Sequence, residues 1–405
     1  MLRFGIELMQ PGLLIEQALG PTGHPAELGQ RGFSVDVACA VERVASLGFS
    51  LIELNPDLMV FFPQCLNLPS VERLRALKES RNLTYTVHLP LWSVEPSTPV
   101  ESVRRGSVDA LVEGVLRMAP LEPEVYVLHA TGALAAEFGR MAALEPVRPL
   151  VMRLFQEQAR RSVKTLLDCT GLPSRLVALE TIEFPFELML ELAEEFDLSV
   201  CLDTGHVLAG YSGDVTVAEA LQRTFPCLAE VHLHDGYRRS APGGPVRVAD
   251  HLPLGEGDLA VEWFLEELDQ RGFVGPVVFE LTIEEAQTSL EVIQARCPDL
   301  LPPRGSVRRN RGRNMNSVTF LGQEITRQQV IDALNQFDSQ YPNTNDYDSW
   351  LDKGMYRYAV RYGGNLYPCK FVLSLASGFD VSDFGGGEQT NRVFGRLGFE
   401  VISKP

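Results

Sequence analysis

The chain has 405 residues, 45% hydrophobic and 22% charged, a balance that fits a globular protein with a sizeable core at a length beyond most single domains. Charge is unevenly placed: residues 1–303 carry a net −20 and the remainder +3, which argues against duplex DNA as a partner of the first segment, because phosphate binding rests on Lys and Arg. Seven scattered Cys without a CxxC pair fit reduced thiols, and "MLRFGIELMQ" offers neither a leader peptide nor a membrane span, so a cytoplasmic protein is expected.

In chain order, eight apolar runs read as strands: 2–9, 49–55, 83–89, 125–130, 175–181, 198–205, 228–235 and 275–282. Amphipathic stretches such as 34–48 and 260–272 separate them, several closing on Gly as helices do. Buried runs alternating with helices imply parallel strands joined by right-handed crossovers. Eight such units over this length predict an α/β fold of the (β/α)8 TIM-barrel type, with an open doubly wound sheet as the alternative. The first strand lacks the GxGxxG turn that would favour that alternative.

Residues 299–317, "DLLPPRGSVRRNRGRNMNS", read as a basic linker: either a solvated tether or a strip that touches nucleic acid. Residues 318–405 then read as a small α+β module. A helix covers 326–342, a hairpin turns at Gly363-Gly364-Asn365 into another helix, and a Gly turn, a short helix and an edge strand complete it.

The chemistry is concentrated at strand ends. Six of the seven His stand at or just after them: His88 on the third strand, His129 on the fourth, His206 after the sixth, His232 and His234 on the seventh, and His251 in the loop that follows. Glu180, Asp203, Asp250 and Glu280 join them at the same edge. A lone strand-end His is usually a satisfied polar residue, but the C-terminal ends of all barrel strands open onto one mouth. Converging imidazoles and carboxylates suit zinc, manganese or iron, and without a cation the carboxylates would repel one another. One to three divalent ions are therefore expected.

The run "HLP", "LHATG", "ET", "DTGH", "VHLHD", "DHLPLGEG" and "FEL" resembles the xylose-isomerase-like barrel superfamily over roughly residues 1–290, a group that holds endonuclease IV and many sugar isomerases and epimerases. The resemblance implies a metal set of Glu180, Asp203, His232 and Glu280, with Glu180, Asp203 and Glu280 as the catalytic carboxylates. The endonuclease IV branch adds His88, His129, His206 and His251, with Glu180 bridging two ions. Its acidic partner of His251 is displaced here, because Asp250 is adjacent to His251 rather than one residue further away. His234, Asp250 and Glu53 are read as substrate contacts. Glu7 and Glu53, on the first two strands, are carboxylates that either support the ligands from behind or, as is commoner, face the surface.

Enolisation of a sugar needs one cation, whereas phosphoester cleavage gains from two or three, so the excess of ligands favours hydrolysis. The stretches at 83–92, 120–132, 180–208 and 230–236 are similar to cobamide-remodelling hydrolases, which implies cleavage of the phosphoribosyl linkage in the nucleotide loop of a cobamide. A single-metal sugar isomerase or epimerase and an endonuclease-IV-like phosphodiesterase acting on DNA are the alternatives. The C-terminal "YPCKFVLSLA" and "GGGEQTNRVFGRLGFEV" resemble the head module of modification-dependent restriction endonucleases, which implies nucleic-acid contacts by Lys370, Asn391 and Arg392. Those residues equally suit capping and solvating a compact fold.

Overall fold

The computed structural model describes residues 2–10, 35–62, 65–240, 246–301 and, with short breaks at 322, 342, 354–355, 363–364, 385–386 and 398, residues 317–404. Most of the basic linker and both glycines of the 363–364 turn lie outside the described residues. The chain divides into two compact units, Met1–Pro303 and Arg304–Pro405.

In the first unit eight parallel strands close into a barrel: β1 (Arg3–Glu7), β2 (Leu51–Leu54), β3 (Thr84–His88), β4 (Tyr126–Leu128), β5 (Val177–Glu180), β6 (Ser199–Asp203), β7 (Leu228–His232) and β10 (Pro276–Phe279). Neighbours pair in sequence order and β10 closes on β1, with Phe4 opposite Val277. The hydrophobic layer between strands and helices is one large cluster that includes Ile6, Ile52, Tyr85, Leu179, Leu202 and Phe264. Its burial is the main drive for closure.

The side chains that alternate with that layer point into the barrel. Val125, Val127, Ala178 and Cys201 form a separate small cluster there. Two residues further along the same strands stand Glu180 and Asp203, so strand alternation lifts the polar groups above an apolar floor. Gly5 belongs to this inner layer, and a Cβ at that position would overlap the Leu51 side chain.

Helix starts are set locally. Asp36 caps Val37–Ser46 and Asn67 caps Leu68–Arg81, while Thr216/Glu219 and Thr282/Glu285 form reciprocal capping boxes. No helix among the described residues is long and apolar enough to cross a membrane.

One expectation is corrected here. The segment after β7 is not a plain loop, because β8 (Asp235–Ser240) and β9 (Val246–Leu252) form an antiparallel hairpin. His251 lies on β9 with φ +50°. The Pro- and Gly-rich "SAPGGP" between the two strands conceals their pairing in the sequence.

The second unit has a hairpin, β11 (Ser317–Phe320) with β12 (Gln323–Thr326), and a three-stranded antiparallel sheet in the order β14 (Asn365–Pro368), β13 (Tyr358–Tyr362), β15 (Glu400–Ser403). Helices Arg327–Gln340, Cys369–Ser377 and Glu388–Arg396 complete it. Phe337, Phe394 and Trp350 are fully buried, and the Trp350 indole N–H donates to the Thr344 carbonyl at 2.9 Å.

Candidate metal centre

The inner ends of the barrel strands bring the predicted ligands together in three groups whose ligand atoms lie within 4.8 Å of one another: Glu180, Asp203, His232 and Glu280; His88, His129 and Glu180; and His206, His234 and His251. Glu180 belongs to two of them. Its Oε2 lies 3.1 Å from His88 Nε2 and 2.8 Å from His129 Nε2, and its Oε1 lies 3.2 Å from His206 Nδ1. His232 Nδ1 faces Glu280 Oε1 at 3.1 Å and Glu180 Oε1 at 3.6 Å.

These separations match donors arranged around one ion, since bonds of about 2.0–2.2 Å leave adjacent ligand atoms roughly 3.0–3.5 Å apart. Glu180 Oε1, Glu280 Oε2 and both ring nitrogens of His232 are buried and make no hydrogen bond. Buried polar atoms normally find partners. The donor set therefore fits a divalent cation.

Backbone carbonyls fix two imidazoles. His88 Nδ1 donates to the Leu89 carbonyl at 3.0 Å and His206 Nδ1 to the Thr181 carbonyl at 3.1 Å, which leaves Nε2 of each ring as the ligand atom. Asp203 has a structural duty as well, because its Oδ1 accepts the His206 N–H at 2.6 Å and caps helix Thr204–Ala209.

Asp250, displaced in sequence, still reaches the third group. Its Oδ2 stands 3.3 Å from His251 Nδ1 and 3.8 Å from His206 Nε2. The left-handed backbone at His251 breaks the strand's alternation and sends adjacent side chains to the same cluster. The His251 side chain is 45% exposed and Asp250 24%, so this group forms the open rim of the site.

Without a cation the imidazoles supply the positive charge. Burial opposes protonation, but Glu180, Glu53 and Glu280 raise His88 to about 10. Asp203 and Glu180 raise His206 to about 9, and Asp250 and Glu280 raise His251 to about 11, each against burial. Burial would lift Glu180 and Glu280, yet the imidazoles of His129 and His232 hold Glu180 well below the usual range, and His232 does the same for Glu280. The His251 hydrogen bond lowers Asp250 to about 2.

Two of the expected substrate contacts, His234 and Glu53, lie below the rim and are fully buried. Glu53 Oε1 lies 3.2 Å from His232 Nε2, behind the centre, and His234 stands behind Asp203. Glu7 also turns inward and accepts a hydrogen bond from Asn55 Nδ2 at 2.7 Å. Burial, Glu280 and Glu53 together push it up to about 7.

One acidic residue escaped the sequence reading. Glu230 is fully buried and accepts from the Thr86 hydroxyl at 3.0 Å. It precedes His232 by two positions, and that strand spacing was the available signal.

In the second unit, Lys370 lies in the first turn of helix Cys369–Ser377 with its ammonium 5.6 Å from the Phe384 ring centroid. Asn391 lies on helix Glu388–Arg396 with a buried Oδ1 that makes no hydrogen bond. Arg392 shares that helix, and its side chain lies outside the described residues.

A closed eight-stranded barrel carries at its C-terminal mouth imidazoles and carboxylates that could hold a divalent cation. The chain belongs to the xylose isomerase-like TIM barrel family, whose model matches residues 41–296. An uncharacterised protein of Methanocaldococcus jannaschii is 24% identical over 238 residues, covering 56% of this chain and 75% of its own length.

Among solved structures, a D-tagatose 3-epimerase-like protein aligns with a TM-score of 0.52 and 19% identity, over 74% of this chain and 98% of its own. Endonuclease IV from Thermus thermophilus aligns with a TM-score of 0.50 and 23% identity, over 73% and 99%. The 3-keto-D-glucoside 4-epimerase of E. coli gives 0.50 and 15%, over 73% and 98%. These likenesses establish the shared fold. The solved structures that share it are named as epimerases and as a nuclease.

Proposed function

We propose that residues 1–298 form a metal-dependent phosphoester hydrolase that cleaves the phosphoribosyl linkage in the nucleotide loop of a cobamide. One observation carries this reading: three donor groups, two of them sharing Glu180, converge on a single mouth, where sugar enolisation would need only one. Divalent cations held there would neutralise the phosphate and lower the pKa of water. Glu180, Asp203, His232 and Glu280 would hold one ion, His88 and His129 with Glu180 a second, and His206, His251 and Asp250 a third. The exposed His251, held beside Asp250, would meet the incoming phosphate at the rim.

The net −20 of residues 1–303 suits a substrate less anionic than duplex DNA. Residues 318–405 would serve as a binding module, with Lys370, Asn391 and Arg392 as its nucleic-acid contacts.

The test is metal analysis followed by incubation with a cobamide, a duplex carrying an abasic site, and a ketose. Two or three ions per chain and loss of the lower base support the proposal. One ion with ketose epimerisation replaces it with the isomerase reading, and cleavage of the abasic duplex replaces it with the nuclease reading.

A further inference from the structure

His234 departs from the other histidines of the mouth because both of its ring nitrogens are already committed inside the protein. It is fully buried. Its Nδ1 accepts the backbone N–H of His251 at 2.8 Å, and a backbone N–H can only donate. The ring's own N–H is therefore on Nε2, where it meets Asp203 Oδ2 at 2.8 Å. The Asp235 carbonyl is a more distant neighbour of Nδ1, at 3.4 Å.

The surroundings are built to hold this ring. It stacks on His251 with centroids 4.2 Å apart and planes 13° from parallel, and meets His206 edge-on at 5.7 Å. A Cβ at position 205 would overlap Nδ1 and Cε1 of the ring, so the Gly of "DTGH" is the counterpart of the second His of "HLHD". The Thr204 hydroxyl donates to the His234 carbonyl at 2.7 Å and fixes the backbone on the same side.

We propose that His234 is a positioning residue that clamps the β8–β9 hairpin to Asp203, so that the rim group of His206, Asp250 and His251 is assembled only while the clamp holds. It joins two parts of the mouth that strand pairing does not connect. Among the described residues β9 pairs only with β8, and the His251 amide reaches the barrel wall through this ring. The inference rests on the reading that Asp203 holds a cation. The hairpin half of the clamp is independent of it.

The two halves separate by substitution, because an Asn amide oxygen takes the place of Nδ1 and a Gln amide nitrogen takes the place of Nε2. In His234→Gln the contact with Asp203 survives and the hairpin is released. Amide hydrogen exchange across 246–252 is then expected to accelerate at least ~10-fold, with no acceleration in His234→Asn. In His234→Asn the Asp203 contact is lost, and affinity for added zinc is expected to fall ~10–100-fold, the usual cost of losing a group that orients a ligand. Gly205→Ala, which displaces the ring, should reproduce both losses.

Unchanged exchange in both His234→Gln and Gly205→Ala overturns the clamp. X-ray absorption of the zinc form showing one imidazole fewer in His234→Asn also overturns it, by making His234 a ligand. Failure of the wild-type chain to bind any metal, with the exchange effect intact, refutes the metal reading and leaves the hairpin clamp standing.

Discussion

Glu53 on β2 and Glu230 on β7 meet inside the barrel over a single hydroxyl, that of Thr86, which lies 3.1 Å from one carboxylate and 3.0 Å from the other. One hydroxyl has one proton and can donate to only one of them. Burial and the neighbouring Glu53 charge raise Glu230 well above the usual carboxylate range. Glu230 thus holds its proton to a higher pH than an ordinary carboxyl.

Glu230→Gln should therefore fold with stability within about 1 kcal/mol of wild type at pH 5, since an amide replaces a protonated carboxyl with little change in hydrogen bonding. The sign of the pH effect follows from the raised folded pKa. Native Glu230 keeps its proton where the unfolded chain has lost it, so its contribution is complete below about pH 4.5 and declines as pH rises. Urea unfolding at pH 5 and pH 8 should show the wild type losing more stability across that interval than the Gln variant.

Glu180→Gln and Asp203→Asn remove the charge on which the donor groups depend. Both should abolish turnover, at least ~10³-fold, while circular dichroism and thermal unfolding retain a folded barrel. Their metal content should fall together with activity, and full occupancy in an inactive variant would show that Glu180 or Asp203 acts on substrate alone.

Metal uptake should release protons. His88, His206 and His251 titrate near 10, 9 and 11 when carboxylates supply their only countercharge. A cation must displace those protons, so apparent affinity rises with pH between about 6 and 9. The metal-free protein behaves in the opposite sense. These raised values favour the folded state below about pH 6.5, and that benefit is lost as pH rises towards 9–11. Calorimetric titration of zinc in two buffers of different ionisation enthalpy reads the proton release directly, and identical heats would contradict it.

Asp235 anchors the foot of the hairpin. Its carboxylate is fully buried and accepts backbone N–H bonds from Gly236, Gly255 and Leu259, each at 2.9 Å. Asp235→Ala would leave the Gly236 and Leu259 donors buried without a partner and should cost about 2–4 kcal/mol. Urea unfolding followed by Trp fluorescence measures it, and a cost below about 1 kcal/mol would mean that water replaces the carboxylate.

The barrel was legible because its strands are runs such as "LIEL" and "VALE", buried on both faces and separated by amphipathic helices. The same property hid the direction of their polar residues. In a strand buried on both sides, Glu53 reads equally well as an inward or an outward residue, and only closure of the barrel decides. Glu230 was missed for that reason, and the hairpin because its connection is rich in Pro and Gly. The ligand ring was visible because convergence at the mouth follows from topology. The duties of individual histidines, such as the committed nitrogens of His234, depend on contacts that spacing does not encode.

The left-handed residue at His251 has one more consequence. The acid and the imidazole are adjacent at 250 and 251, and the reversal of backbone handedness at His251 brings both to one cluster. The intervals between ligands in a one-dimensional pattern are thus negotiable at a cost of roughly 1 kcal/mol, the scale of a strained backbone site. Glycine at 251 should leave the path of the chain intact while removing the imidazole, and alanine should disturb both. That pair of substitutions separates what the position does as a bend from what it does as a base.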